Sequence, residues 1–311
     1  MTTPVRFGLF VPQEIADAGL LREIAQTAER CGYHSLWVYD HLFNYPTPGN
    51  RVVLEAFTTM SLLAAWTQTI RIGALVLCDG YRNPALTAKM TATLDALSGG
   101  RIEFGYGAGW HEGEYRGYGY DFPPVATRIA MMEEALTIIT RLWQGGPATF
   151  EGKHYRISDA ICEPKPMQQP RPPITIGGGG EKLLLRAVAR HADIWNYFPG
   201  PLPEYERKLA VLKDHCATVG RDPATLQQSL LVPTITAAWE KEVRDQLEGA
   251  KQRGLLWAQG NALVQGTPDI VVPRFRDYIR RGVSLFILAL PNARDLKQIE
   301  FIAEAVMADL M

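Results

Sequence analysis

The fold is decided by residues 70–107, IRIGALVLCDGYRNPALTAKMTATLDALSGGRIEFGYG. An apolar, β-branched run, Ile70–Leu77, is followed by an amphipathic segment, Pro84–Leu97, and then by a second apolar run, Arg101–Gly107. Proline in the first helical turn and the Gly99-Gly100 pair after the last turn are typical of the two ends of a helix. The stretch therefore predicts strand, helix and strand, and strands joined by a helix run parallel.

The same alternation continues on both sides of this unit. Further strands are predicted at Arg6–Val11, His34–Tyr39, Ile174–Ile176, Ile194–Phe198, Leu230–Ile235 and Leu285–Leu290. Further helices are predicted at Leu20–Cys31, Glu55–Trp66, Thr127–Trp143, Lys182–His191, Glu204–Val219, Glu240–Arg253, Asp269–Arg281 and Ala293–Leu310. Eight strand–helix units in 311 residues favour an α/β fold, a (β/α)8 TIM barrel, over an open doubly wound sheet.

Two irregular stretches interrupt the alternation. We expect a single domain over residues 1–311 with insertions at the C-terminal strand ends, the larger of them around residues 145–173. This insertion contains a short predicted hairpin, Ala148–Ile157, and its aromatic residues favour a lid or a subunit contact. Residues 254–267 form the second irregular stretch.

Composition excludes several classes of function. Hydrophobic residues make up 47% of the chain, charged residues 21%, and the formal net charge is −1, so no strong field would attract nucleic acid. No apolar run is long enough to span a bilayer, and no signal peptide is evident at the N-terminus. The four cysteines lack metal-ligand or disulfide spacing, which favours a cytoplasmic protein.

In a (β/α)8 barrel the active site lies at the carboxyl ends of the strands, so residues directly after each strand are the first candidates. Asp40-His41 follows the second strand, and a histidine there could exchange a proton near neutral pH. The alternative is a helix N-cap by Asp40 beside a structural histidine.

Two glycine-rich segments also follow strands. Gly177 to Gly180 come after the fifth strand and before a helix, where backbone N–H groups can bind a phosphate; a tight turn is the alternative. Gly107 and Gly109 follow the fourth strand and would let a planar ring approach the backbone. Residues 105–110 (GYGAGW) match the dinucleotide fingerprint GxGxxG only weakly, because Trp110 stands at the position of its last glycine and no helix begins there at once.

Other chemistries find no support in the sequence. The six histidines are scattered without metal-ligand spacing, so no metal site is predicted. A Gly-x-Ser-x-Gly nucleophile motif is absent, and no lysine stands at a strand end where an aldolase would need one.

Several motifs together resemble one known family. Residues 32–41 (GYHSLWVYDH) are similar to the second-strand signature of luciferase-like flavin oxidoreductases. Residues 81–85 (YRNPA) and 94–101 (LDALSGGR) resemble the third helix and the entry to the fourth strand of that family. Residues 107–110 (GAGW), 122–124 (FPP), 150–155 (FEGKHY) and 266–268 (GTP) resemble the branch that depends on coenzyme F420. The resemblance covers nearly the whole chain.

This resemblance implies a bound flavin-type ring over the strand ends. It implies His41 as the catalytic residue that moves a proton, and a non-prolyl cis peptide near Leu77-Cys78-Asp79. The implied cofactor-binding residues are Asp40, Cys78, Asp79, Gly107, Ala108, Gly109, Trp110, Gly177, Gly178, Gly179 and Gly180. In the family's dehydrogenases a glutamate serves as an acid after the fourth-strand glycines. Trp110 stands there instead, and Glu112 or Glu114 are the substitutes that the sequence offers.

We therefore expect an oxidoreductase that transfers a hydride between a small organic substrate and coenzyme F420. One alternative is an FMN-dependent monooxygenase that uses reduced flavin and oxygen, and a second is a non-catalytic flavin-binding protein. The early helices Glu55–Trp66 and Pro84–Leu97 carry enough apolar residues for a homodimer, although an ordinary barrel core would use the same residues.

Overall fold

The computed structural model describes residues 4–43, 52–255 and 260–311. The strands are β1 (Arg6–Phe10), β2 (Ser35–Val38), β3 (Arg71–Ala74), β4 (Leu77–Cys78), β5 (Ile102–Gly107), β6 (Ala148–Glu151), β7 (Arg156–Ala160), β8 (Ile174–Gly177), β9 (Ile194–Tyr197), β10 (Gln227–Thr236), β11 (Val264–Gly266) and β12 (Val283–Ala289). The helices are α1 (Ala18–Arg30), α2 (Ala56–Trp66), α3 (Pro84–Leu97), α4 (Glu112–Gly117), α5 (Val125–Gln144), α6 (Leu184–His191), α7 (Leu202–Thr218), α8 (Glu240–Gln252), α9 (Pro268–Ile279) and α10 (Leu296–Ile302).

Within these described ranges, eight parallel strands close a barrel. Their order around it is β1, β2, β3, β5, β8, β9, β10 and β12, and β12 pairs with β1. Closure satisfies the backbone on both sides of every barrel strand and leaves no exposed edge. The (β/α)8 TIM barrel predicted from the alternation of elements is confirmed.

Local sequence explains the helix boundaries. Asn83 accepts hydrogen bonds from the first free N–H groups of α3 at 2.9 Å and 3.4 Å, and Pro84 occupies the first turn. Asp17 caps α1 in the same way. The predicted buried face of α1 is confirmed, since Leu21, Ile24 and two alanines are buried against the barrel. The last predicted helix is shorter than expected: α10 ends at Ile302 and a π-helical turn, Ala303–Met307, follows.

The barrel interior is filled beneath its carboxyl end. Trp37, Leu285 and Ile287 form a buried cluster, separate from the main core between barrel and helices. The indole of Trp37 fits because glycines face it from both neighbouring strands; a Cβ at Gly8 or Gly73 would lie 2.8 Å from its ring. A packed interior of this kind makes the barrel a core and not a pore, so a ligand can bind only above it.

Three regions differ from the sequence prediction. The third strand, expected to be continuous over Ile70–Leu77, is split into β3 and β4, with a cis peptide between Leu75 and Val76, two residues before the expected position. The insertion contains the expected antiparallel hairpin, β6 and β7. The hydroxyl of Tyr155 in the hairpin donates a hydrogen bond to buried Asp79, so the hairpin is packed against the barrel. The second irregular stretch contributes β11, which pairs with β10, and its residues 256–259 lie outside the described part.

Candidate active site

A cavity of about 1000 Å³ opens at the carboxyl ends of the barrel strands. Phe10, Leu75 and Leu231 pack on the barrel-interior cluster and also line the cavity, so they form its floor. Each of the eight barrel strands, or the loop that follows it, contributes a lining residue. The position is the one expected for the active site of this fold.

His41 lies in the cavity wall, as the sequence predicted. Its Nδ1 is 2.8 Å from Oε2 of Glu114, and its side chain is 13% exposed. The rings of Tyr39, Trp110 and His111 surround it at centroid distances of 5.6–5.9 Å. An imidazole held by a carboxylate on one nitrogen and facing a cavity is a common arrangement for proton transfer.

Glu114 is fully buried and joins its helix, α4, to the two segments that follow β2 and β4. Besides His41, its carboxylate accepts hydrogen bonds from the Leu42 N–H at 2.6 Å, the Phe43 N–H at 3.2 Å and the Tyr81 hydroxyl at 3.0 Å. Burial opposes ionisation of this carboxyl, but the hydrogen bonds outweigh it and the pKa of Glu114 lies below its ordinary value.

Asp40 also lines the cavity, but its carboxylate already accepts hydrogen bonds from other groups of the protein. Arg82 donates to both oxygens, at 2.7 Å and 2.8 Å, and the Cys78 N–H donates at 2.8 Å. The N-cap alternative for Asp40 is wrong, because the cap of α2 is Glu55. Asp40 instead ties the end of β2 to the segment that carries Cys78, and Cys78 lines the cavity.

Asp79 lies away from the cavity. Its two carboxylate oxygens accept hydrogen bonds from Tyr106 at 2.8 Å and from Tyr155 at 2.9 Å, and the residue is 2% exposed. The cause is geometric: Asp79 begins a 3₁₀ turn after β4, so its side chain points outward to the insertion. The expectation that Asp79 contacts a ligand therefore needs correction, since it serves to hold the hairpin.

The segment from Gly107 to Trp110 forms one wall of the cavity. The absent side chain of Gly107 makes room for the protein itself, since a Cβ there would lie 2.6 Å from Cγ2 of Val76. The sequence predicts a glycine here for the approach of a ligand, and the close packing of β5 on the split third strand is a second reason for glycine at this position. Trp110 is 61% exposed beside His41.

Only two of the four consecutive glycines line the cavity, Gly177 and Gly178. Gly178 has a φ of 120°, which requires glycine, and its carbonyl accepts a hydrogen bond from Trp195 at 2.8 Å. Gly179 and Gly180 do not line the cavity, because the chain turns there toward α6. A Cβ on Gly179 would lie 2.3 Å from the Tyr197 ring. Part of the glycine run is thus explained by packing.

The two glutamates proposed to replace the acid at position 110 do not reach the cavity. Glu112 is half exposed and pairs with Arg116 at 2.6 Å, and Glu114 lies behind His41. Besides Asp40, Glu14 in the loop after β1 is a carboxylate residue that lines the cavity. Burial raises the pKa of Glu14, although a hydrogen bond with Tyr39 and the nearby Arg294 act in the opposite direction.

Sequence reasoning missed part of the opposite wall. Arg253 and Arg294 line the cavity near the ends of β10 and β12, and Arg253 donates to the Pro291 carbonyl at 2.9 Å. Arg294 could have been found, because it stands four residues after the last predicted strand. Arg253 could not, because it is the C-cap of α8 and reaches the cavity only through the closure of the barrel.

These features describe a (β/α)8 barrel whose cavity combines a backbone-rich wall with a carboxylate-bound histidine. The family model of luciferase-like monooxygenases matches residues 3–266. The chain belongs to this family.

Individual proteins are similar to this chain in sequence or in fold. An F420-dependent glucose-6-phosphate dehydrogenase of Microbacterium testaceum is 30% identical over 91% of this chain and 90% of its own length. An FMNH(2)-dependent dimethylsulfone monooxygenase of Pseudomonas putida is 30% identical over 64% of this chain and 57% of its own length. The structure of coenzyme F420-dependent tetrahydromethanopterin reductase from Methanopyrus kandleri superimposes with a TM-score of 0.82 at 19% identity, over 99% of this chain and the whole of the other.

No described helix combines the length and hydropathy that crossing a membrane requires.

Proposed function

We propose that this protein is an oxidoreductase that transfers a hydride between a small organic substrate and coenzyme F420. The observation that carries the proposal is the position of His41 in the wall of a cavity that continues into the backbone of Gly107, Ala108 and Gly109. A planar ring can lie against such a wall beside a group that exchanges protons. The sequence similarity to an F420-dependent relative extends over 90% of that relative's length and supports the choice of cofactor.

The residues of the cavity fit a deazaflavin. Its ring would be held between the Gly107–Gly109 wall and Cys78, and its phosphate tail would extend toward Gly177 and Gly178. The loop at Gly178 is already fixed by Trp195 and by its own N–H bond to the Asn196 carbonyl at 2.9 Å. A loop that is fixed before the ligand arrives loses little conformational freedom on binding, which favours affinity.

When bound, the deazaflavin supplies a ring carbon that donates or accepts a hydride. The protein contributes position and proton transfer. His41 would exchange a proton with the reacting oxygen of the substrate, and the apolar floor of Phe10, Leu75 and Leu231 would exclude water from the reacting atoms.

A flavin monooxygenase is the second candidate function. It is supported by the similarity to the FMNH(2)-dependent relative and by Trp110, which stands where the dehydrogenase pattern has an acidic residue. Both candidates need a cavity with the same backbone wall, so the identity of the cofactor separates them.

We also propose a homodimer and a cytoplasmic location. Leu62 and Leu86 on α2 and α3 are 40% and 52% exposed, and Leu97 at the end of α3 is 81% exposed. The four cysteines are unpaired, which suits a reducing compartment. Size-exclusion chromatography with light scattering tests the dimer, and a single-chain mass would refute it.

The test of the function is a titration of the purified protein with coenzyme F420 and with FMN, followed by tryptophan fluorescence. We expect F420 to bind at least about tenfold more tightly, a difference of about 1.4 kcal/mol. His41→Asn is the matched variant: it should keep the F420 Kd within about threefold and lower turnover by about 10²–10⁴-fold. Tighter binding of FMN would favour the monooxygenase, and no binding of either cofactor would refute both.

A further inference from the structure

Among the described residues near the cavity, the carboxylate of Glu114 is a buried charge with four hydrogen-bond partners. It stands on α4, the six-residue helix after β5, and gathers donors from the loops that follow β2 and β4. It does not line the cavity and is fully buried, so it cannot touch a substrate. Its role in the site must act through the groups bonded to it.

The contacts determine which nitrogen of His41 carries a proton. Four groups contact the Glu114 carboxylate, and three of them donate hydrogen bonds to it: the Leu42 N–H, the Phe43 N–H and the Tyr81 hydroxyl. An ionised carboxylate can only accept. The 2.8 Å contact from Nδ1 of His41 is therefore a donated hydrogen bond as well.

We infer that Glu114 is a positioning residue, which keeps the proton of neutral His41 on Nδ1 and makes Nε2 the nitrogen that exchanges a proton with the substrate. The inference rests on the proposed function in one respect, the role of His41 in proton transfer. A neutral imidazole has one protonated and one basic nitrogen, so a donor at Nδ1 leaves the basic lone pair on Nε2. A proton that arrives at Nε2 makes an imidazolium, whose charge the buried carboxylate stabilises.

Among the described residues, four other groups lie near His41, and none of them is seen to donate to or accept from its imidazole nitrogens. His111 accepts the Glu114 N–H at 3.2 Å as the cap of α4, and its Nδ1 is 3.8 Å from the Glu114 carboxylate. Tyr39 and Trp110 contact the imidazole through their rings. The adjacent Asp40 is paired with Arg82.

A purely structural role for Glu114, closing the loop at residues 41–43, is the competing explanation. It predicts that the tautomer of His41 stays the same when the Glu114 carboxylate is replaced by a carboxamide. The tautomer can be read directly from ring nitrogen chemical shifts, without a known substrate.

The experiment is a long-range ¹H–¹⁵N correlation spectrum of the full chain with labelled histidines, recorded with and without coenzyme F420. The sequence has six histidines, and His41→Asn assigns the signal. At a pH where His41 is neutral, we expect a protonated Nδ1 and an unprotonated Nε2. Tyr81→Phe, which removes a hydroxyl but keeps the carboxylate, should retain this pattern. In Glu114→Gln the carboxamide can donate or accept, so the signal should become a mixture of tautomers and turnover should fall at least about tenfold.

A protonated Nε2 in the unsubstituted protein overturns the inference, even if Glu114→Gln fails to fold. An unchanged tautomer in a folded Glu114→Gln also overturns it. Loss of F420 binding together with the expected tautomer would contradict the proposed function and leave the assignment of the proton on His41 intact.

Discussion

The ion pair of Arg82 with Asp40 predicts a large loss of stability when one partner is removed. Arg82 donates to both oxygens of Asp40 and also to Glu55 at 2.6 Å. The side chains of Arg82 and Asp40 are 13% and 2% exposed, so water cannot replace the guanidinium around the Asp40 carboxylate. Glu55 is 40% exposed and can be rehydrated.

The substitution Arg82→Met keeps much of the volume and removes the charge. A buried charge that loses its partner costs about 3–5 kcal/mol, while an exposed pair contributes at most about 1 kcal/mol. Because Asp40 keeps the hydrogen bond from the Cys78 N–H, we expect about 3 kcal/mol of lost unfolding free energy. Urea unfolding monitored by circular dichroism measures this value.

A double-mutant cycle provides the control. Asp40→Asn together with Arg82→Met leaves no buried charge without a partner, so the pair should cost clearly less than the sum of the single substitutions. A cost of Arg82→Met below about 1 kcal/mol would show that Asp40 is hydrated in the folded protein. The Asp40–Arg82 pair would then not be the contact that holds the Cys78 segment at the cavity wall.

Two further predictions concern the turn at Gly178 and the pH dependence of stability. Gly178→Ala places a Cβ at a φ of 120° and 2.6 Å from Leu184, so it should lower the free energy of unfolding by about 1–3 kcal/mol and weaken F420 binding. Gly220→Ala is the control: its φ is also positive, but a Cβ there meets no atom within 4 Å. It should lower stability without changing the Kd for F420. Burial raises the pKa of Asp79 from 3.8 to about 6, so the folded state binds this proton more tightly than the unfolded state. The free energy of unfolding should therefore fall by up to about 3 kcal/mol as the pH rises from about 4 to about 6. Urea unfolding of Asp79→Asn should lack this part of the decrease, and equal slopes in both proteins would contradict the assignment.

The alternation of strands and helices was readable from the sequence because it depends on local signals. The caps at Asp17 and Asn83 and the buried face of α1 are set by residues within one or two helical turns. Eight such units imply a barrel, and the carboxyl ends of its strands imply where a ligand binds. The sequence alone therefore places His41 and the glycines at positions 107 and 177 at the site where the cavity lies.

The partners of these residues depended on the tertiary structure. Glu114 is 73 residues from His41, and Asp79 is 76 residues from Tyr155, so no local pattern records either hydrogen bond. The direction of a side chain after a strand depends on the turn that follows, and this separates Asp40, which lines the cavity, from Asp79, which does not. Periodicity in the sequence determined which elements form, because it reports local backbone preference. The closure of the barrel decided which charges meet, because only packing brings distant loops within hydrogen-bond distance.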